Sequence, residues 1–148
     1  EKYSMLFKQI EALVTGESDE IANMANVAAM IHETFGFWWT GFYRVNGNQL
    51  VLGPFQGPLA CSRIGYGKGV CGTAWKEQTT QVVADVELFP GHIACSSLSR
   101  SEIVVPVWRG DKVVAVLDID SEHLATFDDI DRTWLEKIVG LLYTANMG

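Results

Sequence analysis

The stretch "EIVVPVWRGDKVVAVLDID", Glu102 to Asp120, decides the fold. Two apolar, β-branched runs, EIVVPVW and VVAVLDID, flank the polar tetrapeptide Arg109-Gly110-Asp111-Lys112, where a glycine stands ready for a tight turn. This pattern predicts an antiparallel hairpin of core strands. Asp118 and Asp120 are two residues apart and therefore point to one face of their strand. Whether Glu102 shares that face depends on the turn. A plain two-residue turn with an unbroken ladder puts Glu102 on the other face, whereas a three-residue turn or a β-bulge sets it opposite Asp118 or Asp120. We take the second arrangement. Three carboxyl groups in a dry cleft would hold an ammonium group well. Their crowding would also raise at least one carboxyl pKa, leaving a neutral acid able to donate a proton.

Upstream of the hairpin, FWWTGFYRV (37–45) and QLVLGPF (49–55) flank Asn46-Gly47-Asn48 and predict a second hairpin, rich in aromatic residues. Trp38, Trp39, Phe42 and Tyr43 are candidates to wall a cleft and contact an apolar or thioether-like ligand tail, though aromatic residues of this kind also serve as plain core. Tyr3, Leu6, Phe7, Ile10 and Leu13 recur at helical spacing before Thr15-Gly16. Ser18-Asp19-Glu20 then opens a second helix carrying Ile21, Met24, Val27, Ala28 and Ile31, which Gly36 ends. Glycines crowd the interval Gly53–Gly72 together with Pro54 and Pro58, predicting a long loop. A short helix at Gly72–Glu77, a strand at Gln81-Val82-Val83 and a second irregular stretch around Phe89-Pro90-Gly91 follow. At the far end Thr126 is positioned to cap a last helix, with Asp128, Asp129 and Asp131 at its positive end and Ile130, Trp134, Ile138 and Leu142 along one stripe. The order helix, helix, strands, strands, helix predicts an α+β fold. Its antiparallel sheet carries helices on one face and a loop-covered pocket on the other, in one domain spanning residues 1–148.

The 148 residues carry a net charge of −7 with 11 basic residues scattered along the chain, which disfavours nucleic acid and anionic membrane surfaces. No apolar run approaches the roughly 20 residues of a membrane span, and the first residues do not read as a signal peptide, so a cytoplasmic location is expected. Cys61, Cys71 and Cys95 are an odd set whose spacings match no zinc pattern. Buried structural thiols or reactive ones remain. Every cysteine falls in one of the two irregular stretches, so loops roofing a single pocket would gather them. Cys71, in GVCGTAW, suits a small buried hydrophobe, although a helix beginning there would lower its pKa. Cys95 sits among Ser96, Ser97 and Ser99 with His92 nearby, a polar setting that predicts exposure. His32 and His123 read as surface or filler positions.

GFYRV, GPFQGPLACSRIGYGKGVCGTAW, HIACSSLSRSEIVVPV and VVAVLDIDSEHLATFDDID together resemble the GAF domain, and more closely the free methionine-R-sulfoxide reductases built on that fold. The resemblance spans nearly the whole chain. It implies a six-stranded antiparallel sheet and the reduction of free methionine-R-sulfoxide. It further implies Cys95 as nucleophile, Cys61 as resolving thiol and Cys71 as a secondary or alternative partner. Glu102, Asp118 and Asp120 would line the substrate site, and Trp39 would pack on the methyl end of the substrate. Thioredoxin is the implied reductant, with no metal or organic cofactor, and a homodimer is compatible with the family. The rival is a non-catalytic GAF module sensing a small ligand or redox state. Cyclic nucleotides suit it poorly, because the NKxnF-type signature is missing and acidic residues repel phosphate.

Overall fold

The computed structural model describes residues 2–91 and 98–144. Its elements, in chain order, are α1 (Lys2–Val14), α2 (Glu20–Phe35), β1 (Trp39–Asn46), β2 (Gln49–Gln56), β3 (Arg63–Gly65), α3 (Gly69–Glu77), β4 (Gln81–Val83), β5 (Ser101–Arg109), β6 (Lys112–Ser121) and α4 (Asp129–Thr144). The six strands form one antiparallel sheet in the order β3-β2-β1-β6-β5-β4. Both expected hairpins are present, and the later one supplies two of the inner strands.

The three central strands β1, β6 and β5 alternate their side chains between two cores. Phe42, Ile103, Val105, Val107, Ala115, Leu117 and Ile119 face α1, α2 and α4, where they meet Leu6, Ile10, Val27, Ile31, Leu135 and Ile138. Trp39, Tyr43, Leu50, Val104 and Val116 face the other way, against Val70, Cys71 and Ala74 of α3. The second face is thus covered by a helix as well as by loops. Both faces are apolar because both are buried, which explains why β5 and β6 read as continuous apolar runs rather than alternating ones.

Local chemistry fixes the ends of the helices. Asp19 accepts a hydrogen bond from the Ala22 N–H at 3.0 Å and so satisfies one orphan donor of α2. Gly36 closes that helix in the left-handed region at φ 69°, its N–H donating to the His32 carbonyl. For α4 the expected cap is displaced by two residues. Asp128, not Thr126, accepts from the Ile130 and Asp131 N–H groups, while Asp131 reaches back to the Asp128 N–H as a capping box. Thr126 instead donates to Ser121 and lies in the turn before the helix. The buried stripe of α4 is accordingly Leu135, Ile138, Val139 and Leu142, and Ile130 is exposed.

The interval 53–72 is more ordered than its glycines suggest. It holds the end of β2, all of β3 and the first turns of α3, which begins at Gly69 rather than Gly72. Ladder pairing with the neighbouring β2 outweighs the low strand propensity of Gly65.

Candidate active site

Register places the acidic residues. At the turn end of the β5–β6 hairpin Arg109 faces Lys112 and Trp108 faces Val113, a two-residue connection through Gly110 and Asp111. The ladder then slips between Val107 and Trp108, so that Val107 faces Ala115 and Val114 is the extra residue. Beyond this bulge the pairing runs unbroken to Val104 facing Asp118 and Glu102 facing Asp120. Without the slip Glu102 would lie opposite Ile119 and turn toward the helices.

On the far side of β6, Trp39 of β1 pairs with Asp120 and Gly41 pairs with Asp118. Glu102, Asp120 and Trp39 therefore form a row across three strands on one face. Gly41 is the gap that admits the indole. A Cβ there would lie 2.6 Å from Trp39 Cη2 and 2.4 Å from the Phe55 Cβ. Trp39 stacks on Phe55 with ring centroids 5.2 Å apart and lies 6.0 Å from Tyr43.

Trp39, Tyr43, Glu102, Asp118 and Asp120 line a cavity of about 40 Å³ together with Leu59, Ala60, Lys68, Cys71 and Ser99. Glu102 and Asp118 are each only 6% exposed. The Cys71 Sγ and the nearest carboxylate oxygens of Glu102 and Asp118 lie within 4.8 Å of one another. Such a donor set has the spacing to hold a divalent cation, and its members also interact with one another, Cys71 and Glu102 each pairing with Asp118.

The electrostatics follow from this crowding. Burial, then the charges of Asp118 and Asp120, push the Glu102 carboxyl well above the ordinary glutamate range. Asp120 is also raised, by burial and by Asp118, while hydrogen bonds from Glu102 and Ser99 pull it partly back. The Ser99 hydroxyl donates to Asp120 at 3.2 Å. Glu102 is hydrogen-bonded to both aspartates, and two carboxyl groups share a hydrogen bond only when one keeps its proton. A neutral acid is thus built into the sheet. Cys71 shifts in the direction opposite to that expected of a thiol at a helix start. It is the third residue of α3, and burial with the three carboxylates drives its pKa up, outweighing the helix dipole.

Residues 19–145 match the family model of the GAF domain. The free methionine-R-sulfoxide reductase of Escherichia coli is 43% identical over 96% of this chain and 87% of its own length. A solved free methionine-R-sulfoxide reductase from Neisseria meningitidis, in complex with its substrate, is 52% identical and superposes with a TM-score of 0.95, covering 98% of this chain and 88% of that one. The chain belongs to the GAF-domain family of free methionine-R-sulfoxide reductases. GAF domain-containing protein A of Dictyostelium discoideum, 57% identical over 96% of this chain and 90% of its own, is a further relative.

Of the site residues expected from resemblance to this family, Glu102, Asp118, Asp120, Trp39 and Cys71 line one cavity. Cys61 follows Ala60 on the cavity wall, lies partly buried against the same core and is disulfide-bonded. Cys71 is a free thiol. Cys95 lies outside the described residues. Among the aromatic candidates Tyr43 joins Trp39 at the cavity, Phe42 packs under the helices, and Trp38 packs beside the pocket-face core. Sequence reasoning passed over Lys68, the basic residue on the cavity wall, which occupies the N-cap position of α3. The signal was the Gly67-Lys68-Gly69 turn leading into a helix, a pattern that sets a cation and free N–H groups at one point.

Proposed function

We propose that this chain reduces free methionine-R-sulfoxide to methionine with its own thiols. The observation that carries this reading is the proton-holding trio of buried Glu102 and Asp118 with part-buried Asp120, in one cavity with Trp39 and the Cys61 segment. The substrate is a zwitterion with a thioether-like tail. Its ammonium group is matched by the carboxylates, its carboxylate by Lys68 and the positive end of α3, and its methyl group by the Trp39 face. A residue within a polypeptide lacks both end charges, so such a pocket favours the free amino acid.

Sulfoxide sulfur accepts a nucleophile once its oxygen is protonated, and the neutral carboxyl of the acidic trio supplies that proton. The Cys95 thiolate attacks the sulfur, and the oxygen passes to Cys95 as a sulfenic acid while methionine leaves, reduced by two electrons. The Cys61 thiol then attacks the Cys95 sulfur. The S–O bond breaks, water departs and a disulfide forms. Thioredoxin, or another dithiol, returns both thiols to the reduced state. Ser99 lines the cavity, and Cys95 precedes it by four positions, a reach of no more than about 14 Å along an extended chain. The engagement of Cys61 in a disulfide while Cys71 stays free supports Cys61 as the resolving partner.

Racemic methionine sulfoxide incubated with the protein and dithiothreitol should stop at about half conversion, with Cys95→Ser inactive. No methionine at all would leave the passive sensing module. Multiple turnovers by Cys95→Ser would move the attack to Cys71.

A further inference from the structure

The segment carrying Cys61 is tied to the cavity wall by the wall's own aromatic side chains. Between β2 and β3 the chain crosses Gly57 to Ser62 without regular pairing, yet two hydrogen bonds from β1 fix it. The Trp39 indole N–H donates to the Pro58 carbonyl at 3.0 Å, and the Tyr43 hydroxyl donates to the carbonyl of Cys61 itself at 2.8 Å. Contact is close along this line. Gly57 has φ +135°, and a Cβ there would stand 2.7 Å from Trp39 Cδ1. Both residues also line the cavity, so each wall side chain has its polar tip bonded to the cysteine segment.

We propose that Tyr43 is a positioning residue for the second half of the reaction, holding the Cys61 main chain where its sulfur can close the disulfide. This rests on the reading of the chain as a reductase. The hydroxyl bonds a main-chain carbonyl and takes part in none of the bonds made or broken. It fixes the peptide plane next to the Cys61 Cα, and hence the direction from which Sγ approaches. Loss of one such hydrogen bond lowers the population of the closing geometry by about 5- to 10-fold. The sulfenic acid formed in the first half therefore persists longer, while the electrons and atoms of the overall exchange are unchanged.

The test follows one turnover of the reduced protein without added reductant, reading methionine release by chromatography, sulfenic acid by dimedone trapping and disulfide by free-thiol loss. In the unsubstituted protein disulfide closure should keep pace with methionine release. In Tyr43→Phe, closure should fall about 5- to 10-fold relative to release, whatever the variant does to the first step, and trapped sulfenic acid should rise. Gly57→Ala, which pushes the segment off the wall from its other end, should give the same lag. Closure that still keeps pace with release in Tyr43→Phe overturns the proposal. If Tyr43→Phe releases no methionine, the disulfide's equilibrium with dithiothreitol decides. A shift toward the dithiol supports the tether and an unshifted equilibrium refutes it. Failure of the unsubstituted protein to release methionine would instead sink the reductase reading.

Discussion

Glu102 owes its chemistry to its neighbours. An isolated glutamate would be ionised at neutral pH, whereas burial beside two aspartates keeps a proton in the trio. Glu102→Gln keeps the shape and a hydrogen-bond donor but no transferable proton. Steady-state assays should show kcat reduced by about 10²- to 10⁴-fold, the usual contribution of general acid catalysis. A rate within a few-fold of the unsubstituted protein would return Glu102 to a structural part. The pairing of acid types was legible at this scale, because a period of two fixes Asp118 and Asp120 to one face regardless of context. The direction of the Cys71 shift was not. It depends on how deeply α3 is packed and on what faces it across the cavity.

At the scale of elements, β1 is shaped by Gly41 as much as by its aromatics. In Gly41→Ala the new methyl would meet Trp39 and Phe55 inside van der Waals distance. Overpacking of this kind costs about 1–3 kcal/mol and displaces the indole, so thermal melting should shift down and KM should rise together. An unchanged KM would show that Trp39 is core alone. The helix ends answer to a separate test. Asp19→Ala removes the α2 cap, and a loss of about 1 kcal/mol, or roughly 2–5 °C in Tm, is expected with kcat/KM unaltered, since α2 lies on the sheet face away from the cavity. Elements with strong periodicity and capping residues, α1, α2 and the two hairpins, were readable in the sequence. The stretch 53–72 was not, because β3 owes its existence to pairing with β2 rather than to its own residues. The α4 cap was missed by two residues because Thr126 and Asp128 are both competent caps, and the turn contacts of Thr126 with Ser121 and His123 settle the choice.

For the whole molecule, the acidic site opposes folding above acid pH. Glu102 and Asp120 have raised pKa values in the folded state, so the native chain binds more protons than the unfolded one across the window that opens at their ordinary values, 4.5 and 3.8. Stability must therefore fall as pH rises through that window, and the contribution is fully present only below it. Melting temperatures measured from pH 5 to pH 8 should decline more steeply for the unsubstituted protein than for Glu102→Gln. The variant should be the more stable of the two at pH 8. Parallel curves would mean that the trio is not strained by charge. The two cores make such strain tolerable. The helix-side cluster is built of fully buried aliphatic residues such as Ile10, Ile31, Leu117 and Leu135 and does not share the cavity.

The sequence by itself determined what a chain can carry locally: apolar periods of 3.6 and 2, capping side chains, the turn glycines and the common face of Asp118 and Asp120. Those properties arise from backbone sterics and near-neighbour hydrogen bonds, which act over a few residues. Only the tertiary structure decided that Glu102 joins them, because that outcome rests on a slip at Val114, on the far side of the hairpin from the site. It also decided that Lys68 and Tyr43 reach the same cavity and that Cys71 is deprived of water. Burial, cross-strand facing and the pKa shifts they cause are properties of paired and packed segments, and no short stretch of the chain contains them.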